Sequence, residues 1–379
     1  MIYLDNAATS LPKPPEVVEA VAEALLRAGN PGRSGHSLSF ESMRDIFETR
    51  EVIAELIGCS ESKRIIFTSN ATLALNLAIK GLLRERDHVI TTVMEHNSVL
   101  RPLSSMALRG VEITYVEADP RGNIDPRDVK RSFKKNTRLV AMIHASNVTG
   151  TVYDIAEVGA ECRKREVPFL VDASQTAGAV ELDVKAMNID LLAASGHKAL
   201  FGPQGTGFLY AGENVEVRPL FEGGTGSRSE NDRHPDFLPD RLEAGTPNSV
   251  GLAGLRRGAE YVRNRGVKKI MAHESELLHL FLKGAKGIDR VRVYGSAAAE
   301  KQLGVLLFNV EGKDPGELSM QLDEDYGILV RSGLHCAPFA HRAIGTFPEG
   351  GARISFSALN TLEEAEKAVK AIREICKRH

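Results

Sequence analysis

From about residue 14 to residue 265 the chain alternates short apolar runs with longer amphipathic ones, and that rhythm leaves few folds open. The stretches Arg64–Thr68, His88–Val93, Glu112–Glu117, Leu139–Ala145, Val167–Ala173, Leu191–Ser195 and Gly207–Ala211 have the length and composition of buried strands. Between most of them, segments such as Ala71–Leu83, Val99–Arg109 and Ile155–Arg165 place apolar residues at three- and four-residue spacing, the signature of helices with one buried face. Strands alternating with helices predict an α/β fold with a mostly parallel, doubly wound, seven-stranded sheet and helices on both faces. The last strand follows residue 198 by only Phe201-Gly-Pro-Gln-Gly-Thr-Gly207, too short a link for a helical crossover, so it is expected to run antiparallel.

The rest of the chain has another rhythm. A Gly-rich, Pro-containing stretch from Gly223 to Pro239 reads as a long loop. Helices over Ser249–Arg265 and Val267–Lys286 lead into strands at Val291–Tyr294, Val305–Val310, Ile328–Val330 and Arg353–Phe356. Helices near Pro315–Glu324 and Leu362–Arg378 accompany these strands. Asp314-Pro315 supplies an N-cap with proline at the first helical position, and Thr361-Leu-Glu-Glu364 fits a capping box. The expected division is a large domain over 15–264 and a smaller α+β domain formed by 1–14 and 265–379. A length of 379 residues suits two such units.

A formal net charge of −2 gives no electrostatic reason for a nucleic-acid or membrane partner. No apolar run approaches the roughly 18 residues of a membrane span. The opening Met1-Ile-Tyr-Leu-Asp5 lacks the basic and apolar regions of a signal peptide, so a cytoplasmic protein is expected. None of the four cysteines (Cys59, Cys162, Cys336, Cys376) stands in a zinc-like spacing, and free thiols with no metal site are expected. Cys162 and Cys376 fall in helical patterns and read as packing residues, as does Cys59.

In an open parallel sheet, chemistry collects beyond the carboxyl ends of the strands. Ser195-Gly-His-Lys198 follows one strand and Asp172-Ala-Ser-Gln175 ends another. A lysine and an acid so placed suit a pyridine cofactor, the lysine forming a Schiff base and the acid holding the ring nitrogen protonated. Thr68-Ser-Asn-Ala-Thr72 opens a helix after a strand; it is either a phosphate cradle or an ordinary cap. His96 could stack on an aromatic ring or be a loop histidine. Asn147-Val-Thr-Gly150 could donate to a phenolic oxygen or be a turn.

The ordered series resembles the class V aminotransferase group of fold type I pyridoxal-phosphate enzymes, and within it the cysteine desulfurases and selenocysteine lyases. It is carried by Tyr3-Leu-Asp-Asn-Ala-Ala-Thr9, Asn30-Pro-Gly-Arg-Ser-Gly-His36, Phe67-Thr-Ser-Asn-Ala-Thr72, Glu95-His96 and Val171-Asp-Ala-Ser-Gln175. Ser195-Gly-His-Lys198, Glu243-Ala-Gly-Thr-Pro-Asn248, Arg331-Ser-Gly-Leu-His-Cys336 and Arg353 complete it. The resemblance implies that Lys198 carries pyridoxal 5′-phosphate as a Schiff base, that Asp172 pairs with the ring nitrogen, and that His96 stacks on the ring. Gln175 and Asn147 would meet the ring hydroxyl. Ala71, Thr72, Ser195 and His197 would hold the phosphate. Thr246 would reach the phosphate of a neighbouring subunit, which implies a homodimer with shared active sites. Arg353 would clamp the substrate α-carboxylate, with Asn147 and Arg33 also near the substrate.

Cys336 matches the cysteine of one desulfurase subgroup with a short loop, and His335 is a candidate for the cation that activates it. The implied reaction converts L-cysteine to L-alanine. Lys198 moves the α-proton, Cys336 attacks the substrate sulfur, and the resulting persulfide passes to an acceptor protein, as in iron–sulfur cluster assembly. A selenocysteine lyase acting on L-selenocysteine, another class V carbon–sulfur lyase or transaminase, and a non-catalytic sulfur-trafficking scaffold are the competing expectations. Three departures from the family pattern stand out, one of them an extra residue between Lys198 and the following Gly-Pro, in Ala199-Leu-Phe201. Leu73 replaces a glutamate common after the Ala-Thr pair, and Ala340-His-Arg-Ala-Ile-Gly-Thr346 differs from the best-known desulfurases; there His341 and Arg342 could equally be solvated surface residues.

Overall fold

The computed structural model describes residues 1–31, 35–228, 230–295 and 302–377. Its centre is a seven-stranded sheet in the order Ile65–Thr68, Gly207–Ala211, Leu191–Ser195, Phe169–Asp172, Thr137–Ile143, His88–Thr92, Glu112–Val116. Only Gly207–Ala211 runs against the others, pairing antiparallel with both its neighbours, as its short connection requires. Every residue of the His88–Thr92, Phe169–Asp172, Leu191–Ser195 and Gly207–Ala211 strands is buried. Such burial requires cover on both faces.

Two apolar clusters supply that cover. One face packs Leu75, Leu77, Ile79 and Leu82 of the Ala71–Leu82 helix with Val99, Leu103 and Met106. The other packs Ile53, Ile57, Ile155, Val158, Leu252 and Leu255. The helices Pro15–Arg27 and Ser37–Leu56 lean on Ser249–Arg265, whose bounds match the sequence reading. The predicted Val99–Arg109 helix begins two residues earlier, at Asn97, because the His96 side chain itself accepts the Ser98 amide as N-cap.

In the C-terminal domain an antiparallel sheet runs Arg331–Gly333, Gly351–Ser355, Val305–Val310, Val291–Tyr294. The helices Val267–Ala285, Pro315–Tyr326 and Leu362–Lys377 enclose Leu277, Phe281, Phe308, Leu318, Ile354 and Ile372 against it. Each such side chain contributes about 1.5–3 kcal/mol by leaving water. The predicted strand over 328–330 divides in two. Ile328–Leu329 pairs in parallel with Ile2–Tyr3 at the chain's start, and Arg331–Gly333 joins the four-stranded sheet. Both expected caps form: Asp314 accepts the Gly316 and Glu317 amides, and Thr361 and Glu364 exchange hydrogen bonds at 3.2 and 3.0 Å.

Candidate active site

Because the strands before Asn70, His96, Asn147, Asp172 and Lys198 are parallel, their carboxyl ends lie along one edge of the sheet. Lys198 follows the Leu191–Ser195 strand, its side chain partly accessible. Burial pulls its ammonium down to about 8. Asp172 opposes that shift, while Arg353 and Arg331 reinforce it and Cys336 opposes it. The five groups therefore share one electrostatic neighbourhood.

The turn before Lys198 is fixed by close backbone contacts. The Gly196 amide donates to Thr206 at 2.9 Å and its carbonyl accepts from Gly202 at 2.8 Å. A Cβ at Gly196 would lie 2.3 Å from Thr206 Oγ1, so only glycine fits there without displacing the turn. The His197 carbonyl then takes four donors from the N-terminal segment: Ser10 N at 3.0 Å, Lys13 Nζ at 2.9 Å, and the hydroxyls of Thr9 and Ser10, each at 3.2 Å. Burial lowers the Lys13 ammonium to about 8 and, with Lys198 and Lys13 nearby, the His197 imidazole to about 4. His197 is thus neutral at pH 7, and its buried Nδ1 has no partner.

Asp172 is buried, and Ser174 donates to its Oδ1 from both backbone amide and hydroxyl. Oδ2 is left to accept a ligand N–H. The Gln175 amide donates to the Ala7 carbonyl at 3.1 Å and keeps a second N–H. His96 Nδ1 accepts the Ser98 amide at 3.0 Å, so in the neutral ring the proton sits on Nε2. Neutrality holds at pH 7, because burial outweighs the pull of Asp172 and lowers this imidazole to about 4. The Ser98 hydroxyl lies 2.9 Å from His96 Nδ1 and 2.7 Å from Thr72 Oγ1, and so links two predicted site residues. Ser98 was not among the sequence candidates; nothing in its spacing marks it. Ala71 and Thr72 open their helix behind the Asn70 cap, with amides that have no intrahelical acceptor. Ser195 is buried opposite Gly207.

Arg353 is 1% exposed. Its Nη1 donates to the Asn147 carbonyl at 3.0 Å and its Nη2 to Asp5 Oδ1 at 2.6 Å, while Nε is buried without a partner. Asp5 is a residue the sequence motif contains but to which no role was assigned. The Asn147 side chain donates to the His335 carbonyl at 2.7 Å, and its Oδ1 is unpartnered. The Asn97 amide donates to the Cys336 carbonyl at 2.7 Å. Two successive carbonyls of the cysteine turn are thereby pinned to the rim of the large sheet.

Cys336 is the exposed thiol of the four; burial raises the pKa values of Cys59, Cys162 and Cys376. The cation beside it is Arg331, whose Nη2 lies 3.6 Å from the sulfur. His335, the candidate from sequence, does not play that part. It is buried, and burial beside Arg353 lowers its imidazole to about 2. His341 is fully buried rather than solvated. Thr246 is exposed; with Thr68, Ser69, Leu73 and Phe221 it lines a cavity of 340 Å³, and among the described residues it makes no hydrogen bond to the other site residues. Arg33 lies outside the described residues.

The arrangement can bind an amino-acid carboxylate at Arg353, move protons at Lys198 and present a nucleophilic sulfur at Cys336. Comparison with known proteins shows similarity along nearly the whole chain. The family described as Aminotransferase class-V matches residues 2–368. A relative from Pyrococcus abyssi named "Probable cysteine desulfurase" is 37% identical, over 100% of this chain and 94% of its own length. Another of the same name from Methanothermobacter thermautotrophicus is 36% identical over 99% and 94%. The apo structure of a cysteine desulfurase from Thermococcus onnurineus NA1 superposes with a TM-score of 0.93 at 36% identity, covering 100% of this chain and 95% of that one.

Proposed function

Because this chain belongs to the class-V aminotransferase family, we propose that it is a pyridoxal-phosphate-dependent cysteine desulfurase that converts L-cysteine to L-alanine and holds the sulfur as a persulfide on Cys336. The observation that carries this reading is an exposed cysteine, pinned on a short turn, close enough to Lys198 to act on its charge. A cofactor-dependent transaminase has no use for such a thiol.

The site fits the cofactor. Three buried polar atoms of the predicted site residues (His197 Nδ1, Asn147 Oδ1 and Arg353 Nε) have no partner, and the ammonium of Lys198 is lowered to about 8. Buried polar groups left unpaired in a folded chain call for a ligand. Lys198 would hold the carbonyl carbon, Asp172 Oδ2 the ring N–H, His96 the ring face, and the remaining N–H groups of Gln175 and Asn147 the ring hydroxyl. The Ala71 and Thr72 amides, the hydroxyls of Thr72 and Ser195, and His197 would take the phosphate, joined by Thr246 from the second subunit of a homodimer. When bound, the cofactor supplies an electron sink that acidifies the substrate α-carbon.

Arg353, held at two points, offers Nε and its remaining N–H to the α-carboxylate, and so fixes which bonds of the substrate face Lys198. With the cofactor bound, the Lys198 amine would take the α-proton as general base and return it to the α-carbon of the product. A value near 8 leaves enough neutral amine at pH 7 for this. Cys336 attacks the substrate sulfur. An S–S bond forms as the carbon–sulfur bond breaks, and the electron pair stays on the substrate carbon, which takes up a proton to become the methyl of alanine. Arg331 sits where the attacking sulfur needs a cation. The persulfide remains exposed for a sulfur-acceptor protein. Among the described residues no helix is long and apolar enough to cross a membrane, and we place the reaction in the cytoplasm.

Incubation with L-cysteine should release alanine and leave a persulfide on Cys336. Cys336→Ala should keep the cofactor absorbance but lose alanine formation. Pyruvate as product, or alanine formation at the wild-type rate in Cys336→Ala, would overturn the reading. Parallel assays with L-selenocysteine separate a selenocysteine lyase from a desulfurase, since only the former makes alanine from it preferentially.

A further inference from the structure

His335 and Cys336 both have positive φ, +48° and +57°. Two successive non-glycine residues in the left-handed region persist only where their surroundings hold them. Their carbonyls are held by Asn147 and Asn97, and the His335 ring is held in turn by a chain of buried groups. His335 Nε2 lies 3.1 Å from the Arg331 carbonyl, His335 Nδ1 lies 3.3 Å from His341 Nε2, and His341 Nδ1 lies 2.7 Å from Thr346 Oγ1. The two rings are stacked with centroids 5.5 Å apart.

The direction of every proton in this chain is fixed by its far end. A carbonyl can only accept, so His335 Nε2 carries hydrogen. Burial keeps His335 neutral, and its Nδ1 is therefore a lone pair. His341 Nε2 must then donate, which leaves His341 Nδ1 as an acceptor and makes the Thr346 hydroxyl the donor. The Thr346 hydroxyl also lies 3.4 Å from the His341 carbonyl, but that carbonyl already accepts the Thr346 amide at 2.9 Å, and the 2.7 Å contact with His341 Nδ1 is the shorter of the hydroxyl's two. Protons thus point one way, from Thr346 through His341 and His335 to Arg331. The last residue in line carries the guanidinium that meets the Cys336 sulfur.

We propose that His341 and Thr346, neither of which touches the reacting groups, are positioning residues that set the Cys336 turn and the Arg331 guanidinium for sulfur attack. This rests on the desulfurase reading of the site. Substrate capture at Arg353 does not pass through the chain, and proton transfer at Lys198 meets it only through the Arg331 charge, a weaker influence there than burial and Asp172, so its loss falls mainly on the sulfur step.

The test uses Thr346→Val, which keeps the shape and removes the donor, Thr346→Ser, which restores it, and His341→Phe. In the holoenzyme, KM for L-cysteine and the early absorbance change on substrate addition should stay within about twofold of wild type in Thr346→Val. Single-turnover persulfide formation should slow by about 10- to 100-fold, the effect of displacing a reacting atom by a fraction of an ångström to an ångström. Thr346→Ser should return to within about threefold of wild type. Nitrogen NMR of the histidine-labelled protein at pH 7 should show His335 and His341 both as neutral Nε2–H rings. Persulfide formation within twofold of wild type in Thr346→Val, an equal loss in the absorbance step, or an Nδ1–H ring at His341 would each overturn the proposal. If His341→Phe fails to fold, the valine and serine pair at residue 346 decides it. Wild-type protein that forms no persulfide would instead overturn the desulfurase reading, and the NMR result would still decide the direction of the chain.

Discussion

Lys198 should capture pyridoxal phosphate with a pH dependence unlike that of an ordinary lysine. The perturbation is pH alone, applied to protein stripped of cofactor. Burial, reinforced by Arg353 and Arg331 against the opposing pull of Asp172, lowers the ammonium from 10.5 to about 8. At pH 7 an ordinary lysine is about 0.03% neutral and one titrating near 8 about 10%, a gain of about 300-fold in reactive amine. Capture is read as the rate at which Schiff-base absorbance appears on adding pyridoxal phosphate. Between pH 7 and 10 the rate should climb toward pH 8 and then level. Arg331→Gln should move the levelling point up, because Arg331 helps to depress the value, and Asp172→Asn should move it down. A rate still rising about tenfold per pH unit above pH 9, as for an unshifted lysine, would refute the reasoning. The same shift has a stability consequence. Between pH 8 and 10.5 the unfolded chain binds the extra proton, so this residue's penalty is full below pH 8 and fades as pH rises to 10.5.

Arg353→Lys should raise KM for L-cysteine by about 10- to 100-fold, with a smaller change in kcat, since a charge-assisted hydrogen bond is worth about 1.5–3 kcal/mol and one ammonium cannot keep Asn147, Asp5 and a substrate carboxylate together. A KM within threefold of wild type would exclude Arg353 as the carboxylate clamp. Glu95 lies fully buried with Oε1 accepting from Thr92 and Ile143 and Oε2 unpartnered, and burial pushes its carboxyl up to about 8. The folded state therefore binds more protons than the unfolded one between pH 4.5 and 8, and wild-type thermal stability should fall across that window. Glu95→Gln, which matches the neutral acid in shape, should flatten that fall and be the more stable protein at pH 8.5; equal slopes in the two proteins would show that Glu95 is ionised when folded.

The strands carrying the site were legible because a buried parallel strand is a short apolar run, and because chemistry sits on the residues that follow it. Asp172, His96 and Lys198 became candidates in that way. The helix over Ser37–Leu56 was not delimited, since its buried face includes Ser39, Ser42, Thr49 and Arg50 and hides the apolar period. Ser98, Asp5, Arg331 and His341 acquire their parts from partners remote in sequence or from a turn with unusual dihedrals. Asp5 meets Arg353 from the opposite end of the chain. His335, next to Cys336 in sequence, is turned inward by positive φ, and Arg331 takes the place beside the sulfur.

Alternation of apolar strands with amphipathic helices, and the residue types at the strand ends, by themselves determined a mostly parallel sheet with a lysine, an acid and an imidazole along one edge. Those are local properties: periodicity selects the element, and a parallel strand fixes which of its ends bears the chemistry. The protonation state of each group, the cation that faces Cys336 and the partners that hold Arg353 were decided only by tertiary structure. They depend on burial and on distances of about 3 Å between residues as far apart as Asp5 and Arg353, and charge and hydrogen bonding fall off too steeply with distance and solvent access for spacing along the chain to reveal them.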